Sequence, residues 1–217
     1  LEANKKINVR TIAATAVTAV FFAFQMYIAM VKQLTPMLQS PLHLVFALTL
    51  VFLYFPADYN YRKKLRKAAE AKGETPDPVL LNKRAWMNWL DIPAFIGIAY
   101  LLWYVITQNA RLNDFVVGIS DVYTIDYVCM VVTILLLLLA VYRTLGIMLT
   151  AFIAVFILYA WTAPYLPGIL YTKPKSTMLK FLNQFTAGMV MTESGIFGTP
   201  LYTSASTLFY FMVFGAF

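Results

Sequence analysis

Three stretches without a charged side chain dominate this sequence: between Arg10 and Lys32, between Lys32 and Asp58, and between Asp91 and Arg111. Each is close to the roughly 20 predominantly apolar residues that a helix needs to cross a bilayer at about 1.5 Å per residue. In hydrocarbon a backbone must satisfy its own hydrogen bonds, so runs of this kind fold as helices. The composition agrees, at 61% hydrophobic and 12% charged residues with a mean hydropathy of +0.70, well outside the mix of a soluble domain.

Further spans are expected downstream. "YVCMVVTILLLLLAVY", Tyr127 to Tyr142, gains spanning length if Tyr123 to Asp126 lies at the interface. After Arg143, "TLGIMLTAFIAVFILYAWTAPYLPG" predicts a fifth span, ending at the Trp161/Tyr165 belt and at Pro164 and Pro167-Gly168. In "STMLKFLNQFTAGMVMTESG" the apolar Leu179, Leu182, Val190 and Met191 alternate with polar residues, which predicts a short amphipathic helix lying at the interface. The closing "TPLYTSASTLFYFMVFGAF" predicts a sixth span, incomplete at Phe217. The fold class is therefore all-α: a polytopic membrane protein of about six transmembrane helices, with a basic cytoplasmic loop and an interfacial amphipathic helix. The N-terminal run is basic and then apolar, as a signal peptide is. It lacks a clear small-residue cleavage site and is long enough to span, so it is read as a retained helix.

Lysine and arginine in short loops set orientation. Arg62, Lys63, Lys64, Arg66, Lys67, Lys72, Lys83 and Arg84 fall in one loop, and Lys5, Lys6 and Arg10 precede the first span. Both segments are placed on the cytoplasmic side, with the N-terminus, and the loop from Asn109 to Asp126 outside. This arrangement puts Lys173, Lys175 and Lys180 outside, against the rule. The net charge of +7 is explained by that one loop, which sets topology; nucleic acid is not an expected partner. "YNYRKKLRKAAEAK" reads as a basic helix, either on anionic membrane lipids or as a solvated segment. No repeat of 20 to 50 residues is present.

Ionisable groups within spans are the first candidates for function, because burying them costs several kcal/mol unless they are paired or hydrated. His43, in "SPLHLVFAL", is read as an interfacial imidazole bonded to backbone or headgroup, ahead of a proton or metal role. Asp91, near Pro93, and Asp126 are read as helix caps placed at positive helix ends. Arg143 is read as an anchor snorkelling to cytoplasmic phosphates. Glu193, before Gly195, Gly198 and Pro200, is read as surface-exposed and kept as a weak candidate beside His43. Cys129 is read as a small core residue; a single cysteine forms no intrachain disulfide framework. One histidine excludes an H-E-x-x-H site, and G-x-S-x-G, Walker A and G-x-G-x-x-G are absent, so no enzyme, metal site or cofactor is expected in this chain. "SGIFGTPLYTSASTLF" combines helix breakers with Thr199, Thr203, Ser204, Ser206 and Thr207. Secondary transporters build ion sites from such broken helices, although a packing face is the preferred reading here.

"PLHLVFALTLVFLYFPA", "YAWTAPYLPG" and "GIFGTPLYTSASTLFYFMVFGAF" together resemble the fused permease of tripartite ATP-independent periplasmic (TRAP) transporters, of the type that pairs with TAXI-family binding proteins. Asp126, Tyr127 and the R-x-x-G of Arg143 and Gly146 fall in that family's order, from about residue 40 to the end. Leu139 stands where an acidic residue is common, and Tyr142 where one of two paired arginines is, so a salt bridge built on those positions is not carried over. The resemblance implies a bacterial inner-membrane importer, coupled to sodium, that takes organic carboxylates from a periplasmic binding protein. Residues 1–143 would be a four-helix small-subunit-like scaffold, 144–178 a connecting helix and periplasmic linker, and 179–217 the start of the large-subunit scaffold. The sodium and substrate ligands would follow Phe217, in the remainder of the large subunit, so none is assigned here. The alternative is a complete structural or assembly subunit of another membrane complex, without transport activity.

Overall fold

The computed structural model describes residues 9–73, 80, 85–116, 119–162, 166–167, 178–192 and 195–215. It is 83% helical and contains no strand among them. Helix α1 runs Val9–Met30, α2 Pro36–Tyr54 and α3 Tyr59–Glu70; a 3-10 turn, Ala85–Leu90, leads into α4, Asp91–Asn113. Helix α5 is Thr124–Thr144, α6 Ile147–Thr162 and α7 Met178–Thr186, the last continuing as a π turn at Ala187–Met191. The chain then forms α8, Thr199–Tyr202, a second π turn at Thr203–Leu208, and α9, Phe209–Gly215.

Four helices, α1, α2, α4 and α5, are long and apolar enough to cross a membrane. They have 22, 19, 23 and 21 residues, or about 28–35 Å at 1.5 Å per residue, against a hydrocarbon core of roughly 30 Å. The chain is an all-α polytopic membrane protein. Where a fifth span is expected the chain forms the 16-residue α6, apolar but shorter than those four helices. Helix α6 is described as far as Thr162; Pro164 and Tyr165, where the span is expected to stop, lie outside the described residues. The segment expected as a sixth span is helical over 199–215, broken into two short helices by the π turn, and is not among the four helices of spanning length.

Helix α2 is the hub. It packs against α1, α4, α5 and α8, and Leu44, Val45, Leu48 and Phe52 bury one side of it. Opposite them stand Ile98, Leu101, Tyr104 and Val105 of α4 and Met130, Thr133 and Leu136 of α5. Four threonine hydroxyls inside the spans are satisfied locally: Thr18, Thr49, Thr107 and Thr133 each donate to the carbonyl four residues back, as a dry surrounding favours. Two glycines have a structural reason. Gly146 has φ +93° just beyond α5 and its N–H reaches Val141 O at 3.3 Å, closing that helix as a left-handed cap. Gly97 lets α4 and α5 approach: a Cβ there would lie 3.3 Å from Leu136 Cδ1 and 3.4 Å from Val132 Cγ1.

The amphipathic segment is not confined to a lipid interface. Helix α7 and its π turn dock on α5, burying Thr186, Ala187, Val190 and Met191. Tyr127 Oη donates to Asn183 Oδ1, and Leu182 and Phe185 pack on the core. The reason is that its apolar stripe finds a protein partner whose own apolar side is otherwise uncovered.

Gly97→Leu should force α4 and α5 apart and cost about 1–3 kcal/mol, with Gly97→Ala costing less. Unfolding of the purified protein in a denaturing detergent series measures both.

Candidate functional site

Most of the buried charge sits at the two ends of the α4–α5 pair. At the end shared with α3, Asp91 is the first residue of α4 and is 2% exposed. Its Oδ1 accepts from Arg143 Nη1 at 2.6 Å and its Oδ2 from Arg10 Nη2 at 2.6 Å. Arg143, in the last turn of α5, is itself 3% exposed. It also donates to Phe55 O at 3.2 Å, and its guanidinium lies 4.6 Å from the centre of the Phe52 ring. One carboxylate thus joins the start of α1, the end of α2, the start of α4 and the end of α5.

Two expectations are corrected here. Asp91 is not a cap; Leu90 occupies the N-cap position, without a side-chain cap bond. Its carboxylate is turned to two guanidiniums because, at a buried helix end, charge–charge partners repay desolvation better than a backbone N–H does. Arg143 does not snorkel to lipid phosphates. It points inward and takes its acid from Asp91.

The opposite end repeats the design in reverse. Asp126, in the first turn of α5 and fully buried, faces Arg111 in the last turn of α4. Arg111 Nη1 donates to Asp126 Oδ2 at 3.0 Å and Nη2 to Oδ1. Tyr104 Oη donates to Oδ1 at 2.5 Å, and Tyr123 N to Oδ2 at 2.8 Å. The last contact is the helix-capping role expected of Asp126; the bonds from Arg111 and Tyr104 add to it. In both locks the acid lies at a positive helix end and the arginine of the neighbouring helix, Arg143 or Arg111, at a negative one, so the helix dipoles reinforce these two pairs; Arg10, in the first turn of α1, lacks that support.

Between the locks lies a neutral polar cluster. His43 is 8% exposed, deep against α1. Gln25 Nε2 and His43 Nδ1 form a hydrogen bond of 2.5 Å, and His43 Nε2 lies 3.4 Å from Ser204 Oγ. The Phe21 ring meets the imidazole at 5.0 Å. This corrects the interfacial reading: side chains of α1 and of the second π turn hold the imidazole, and no headgroup is needed. The Gln25 Oε1 and Ser40 Oγ atoms are buried without a hydrogen-bond partner among the described residues. Gln25 went unremarked in the sequence, although a lone amide in "FFAFQMYIAM" is the signal that marks it. In the broken segment Ser204 faces His43 of α2; Ser206 Oγ returns to Tyr202 O at 2.6 Å, and Thr199, Thr203 and Thr207 are exposed.

The basic run forms α3, as its pattern predicts. Asp58, fully buried, pairs with Arg62 at 2.6 Å, and Asn60 Nδ2 donates to Tyr142 O at 3.0 Å, pinning α3 to the end of α5. Lys63, Lys64, Arg66 and Lys67 are exposed. Lys180 lies beside Ser120 and Asp121, at the end away from α3, while Glu193, Lys173 and Lys175 lie outside the described residues. Cys129 is buried, as expected of a core residue. No group of three or more metal-ligating side chains occurs among the described residues. Comparison of the chain with family models, curated proteins and solved structures gives no match.

Asp91→Asn should strand two guanidiniums and cost about 3–5 kcal/mol, whereas Arg10→Gln, on the more exposed arm, should cost less; equilibrium unfolding in detergent checks the order. His43→Leu should cost about 1–3 kcal/mol by leaving the Gln25 amide unpaired, and Gln25→Leu/His43→Leu together should recover part of that loss. Thermal denaturation of the two variants against the parent reads it.

Proposed function

We propose that this chain is the membrane scaffold portion of a sodium-coupled secondary transporter of the TRAP type. In this reading it sits in a bacterial inner membrane with its N-terminus cytoplasmic. It supports the import of organic carboxylates delivered by a periplasmic binding protein. The sodium and substrate ligands belong to the remainder of the large subunit, and the chain itself catalyses no reaction.

The observation that carries the proposal is the double lock on α4 and α5. A scaffold must hold its register while a transport element moves past it. Sliding α5 by one turn, about 5.4 Å, would part Asp91 from Arg143 and Asp126 from Arg111 together. Breaking a buried pair of this kind costs about 3–5 kcal/mol, so the helix pair resists the motion a transport domain requires. The basic α3, at the end that also carries Arg10, supports the cytoplasmic placement.

The test is sodium-gradient-driven uptake of labelled dicarboxylates by proteoliposomes containing the native membrane polypeptide, with its binding protein outside. Uptake is expected with the native polypeptide and none with residues 1–217 alone. A native species of only 24.6 kDa, with no larger membrane partner and no uptake, would instead identify a self-contained assembly subunit.

A further inference from the structure

A groove of about 370 Å³ lies where α2 gives way to α3. One wall is Tyr54, the exposed last residue of the spanning α2, with Pro56 and Tyr59. The other is one face of α3, where Lys63, Arg66 and Lys67 follow Tyr59 at helical spacing and all three are exposed. Arg62 and Glu70 border the groove too, but Arg62 is neutralised by Asp58. Lys63, Arg66 and Lys67 against Glu70 leave an excess of two positive charges. Lys64 is not among the lining residues.

We propose that this groove binds the headgroup of one anionic phospholipid, its phosphodiester held by Lys63, Arg66 and Lys67 and its glycerol and upper acyl chains lying against Tyr54 and Tyr59. Three features select a lipid over a free anion. The groove opens at the end of a membrane span, so a headgroup is delivered to it. Half of its wall is apolar and aromatic, which a free phosphate would leave unused. The site is also preformed: Asn60 fixes α3 to Tyr142 O, and the Asp58–Arg62 pair holds its first turn, so binding does not have to order the helix. The structure thereby narrows the general attraction of a basic run for anionic lipid to one face and three cations.

The test is equilibrium binding to the purified protein in neutral detergent, with dioctanoyl phosphatidylglycerol, dioctanoyl phosphatidylcholine and inorganic phosphate as probes. Phosphatidylglycerol should bind at least about tenfold more tightly than phosphatidylcholine. Each cation near an anionic lipid contributes roughly fivefold in affinity, so Lys63→Gln and Lys67→Gln should each lose about fivefold. Lys63→Gln/Arg66→Gln/Lys67→Gln should lose about a hundredfold, while Lys64→Gln should change binding less than twofold. Equal binding of the two lipids would overturn the proposal, as would an unchanged triple variant or displacement of phosphatidylglycerol by equimolar inorganic phosphate. If the triple variant does not fold, the single variants and the parent protein's lipid preference decide the matter alone. The outcome is independent of the transporter reading, which rests on α4 and α5.

Discussion

One carboxylate, that of Asp91, holds together four helix ends that the chain brings back to the same side. It receives two guanidiniums, from Arg10 and Arg143, and Arg143 adds a bond to the last turn of α2 through Phe55 O. In a low-dielectric surrounding an isolated charge is far too costly to keep, while a well-bonded cluster can be kept and is costly to break. Placing the acid at the start of α4 and Arg143 at the end of α5 adds the dipoles of both helices. The same logic, inverted, ties Asp126 to Arg111 at the far end. Two antiparallel helices are thus clamped at both ends, and the apolar packing of α2 against them is fixed in register.

The middle of the bundle is held differently. Gln25, His43 and Ser204 form a neutral chain of hydrogen bonds across α1, α2 and the second π turn. Such bonds specify position without the desolvation cost of charge. They also bring the interrupted segment around Gly198 onto α2, and Phe197 and Ala205 within it are buried. A π turn at this place is consistent with a local departure from regular helix that a contact, not a propensity, maintains. The outer elements contrast with this core. Helix α6 keeps Met148, Phe152, Val155 and Leu158 exposed, as a helix facing acyl chains does, and α3 presents its cations at the end of a span.

Much of the architecture was legible in the sequence because its cause is local. Charge-free runs of spanning length, the helical pattern of "YNYRKKLRKAAE" and the capping position of Asp126 need no knowledge of neighbours. The site was less legible. Asp91, Arg143 and His43 were each noticed as unusual, yet each was given an interfacial or capping role, because one residue viewed along the chain offers only its own helix or the lipid as a partner. Arg10 and Asp91 are separated by 81 positions, and Gln25 and His43 belong to different helices.

By itself, then, the sequence determined that this chain enters the membrane, which charge-free stretches form its four long helices, and which end bears the positive charge. These follow from transfer free energy and backbone hydrogen bonding, which act on each segment separately. Only the tertiary structure decided which acid meets which arginine, that α7 docks on α5, and that His43 faces Gln25 and Ser204. Those choices depend on the rotation and depth of one helix against another, and distance along the chain carries no record of either.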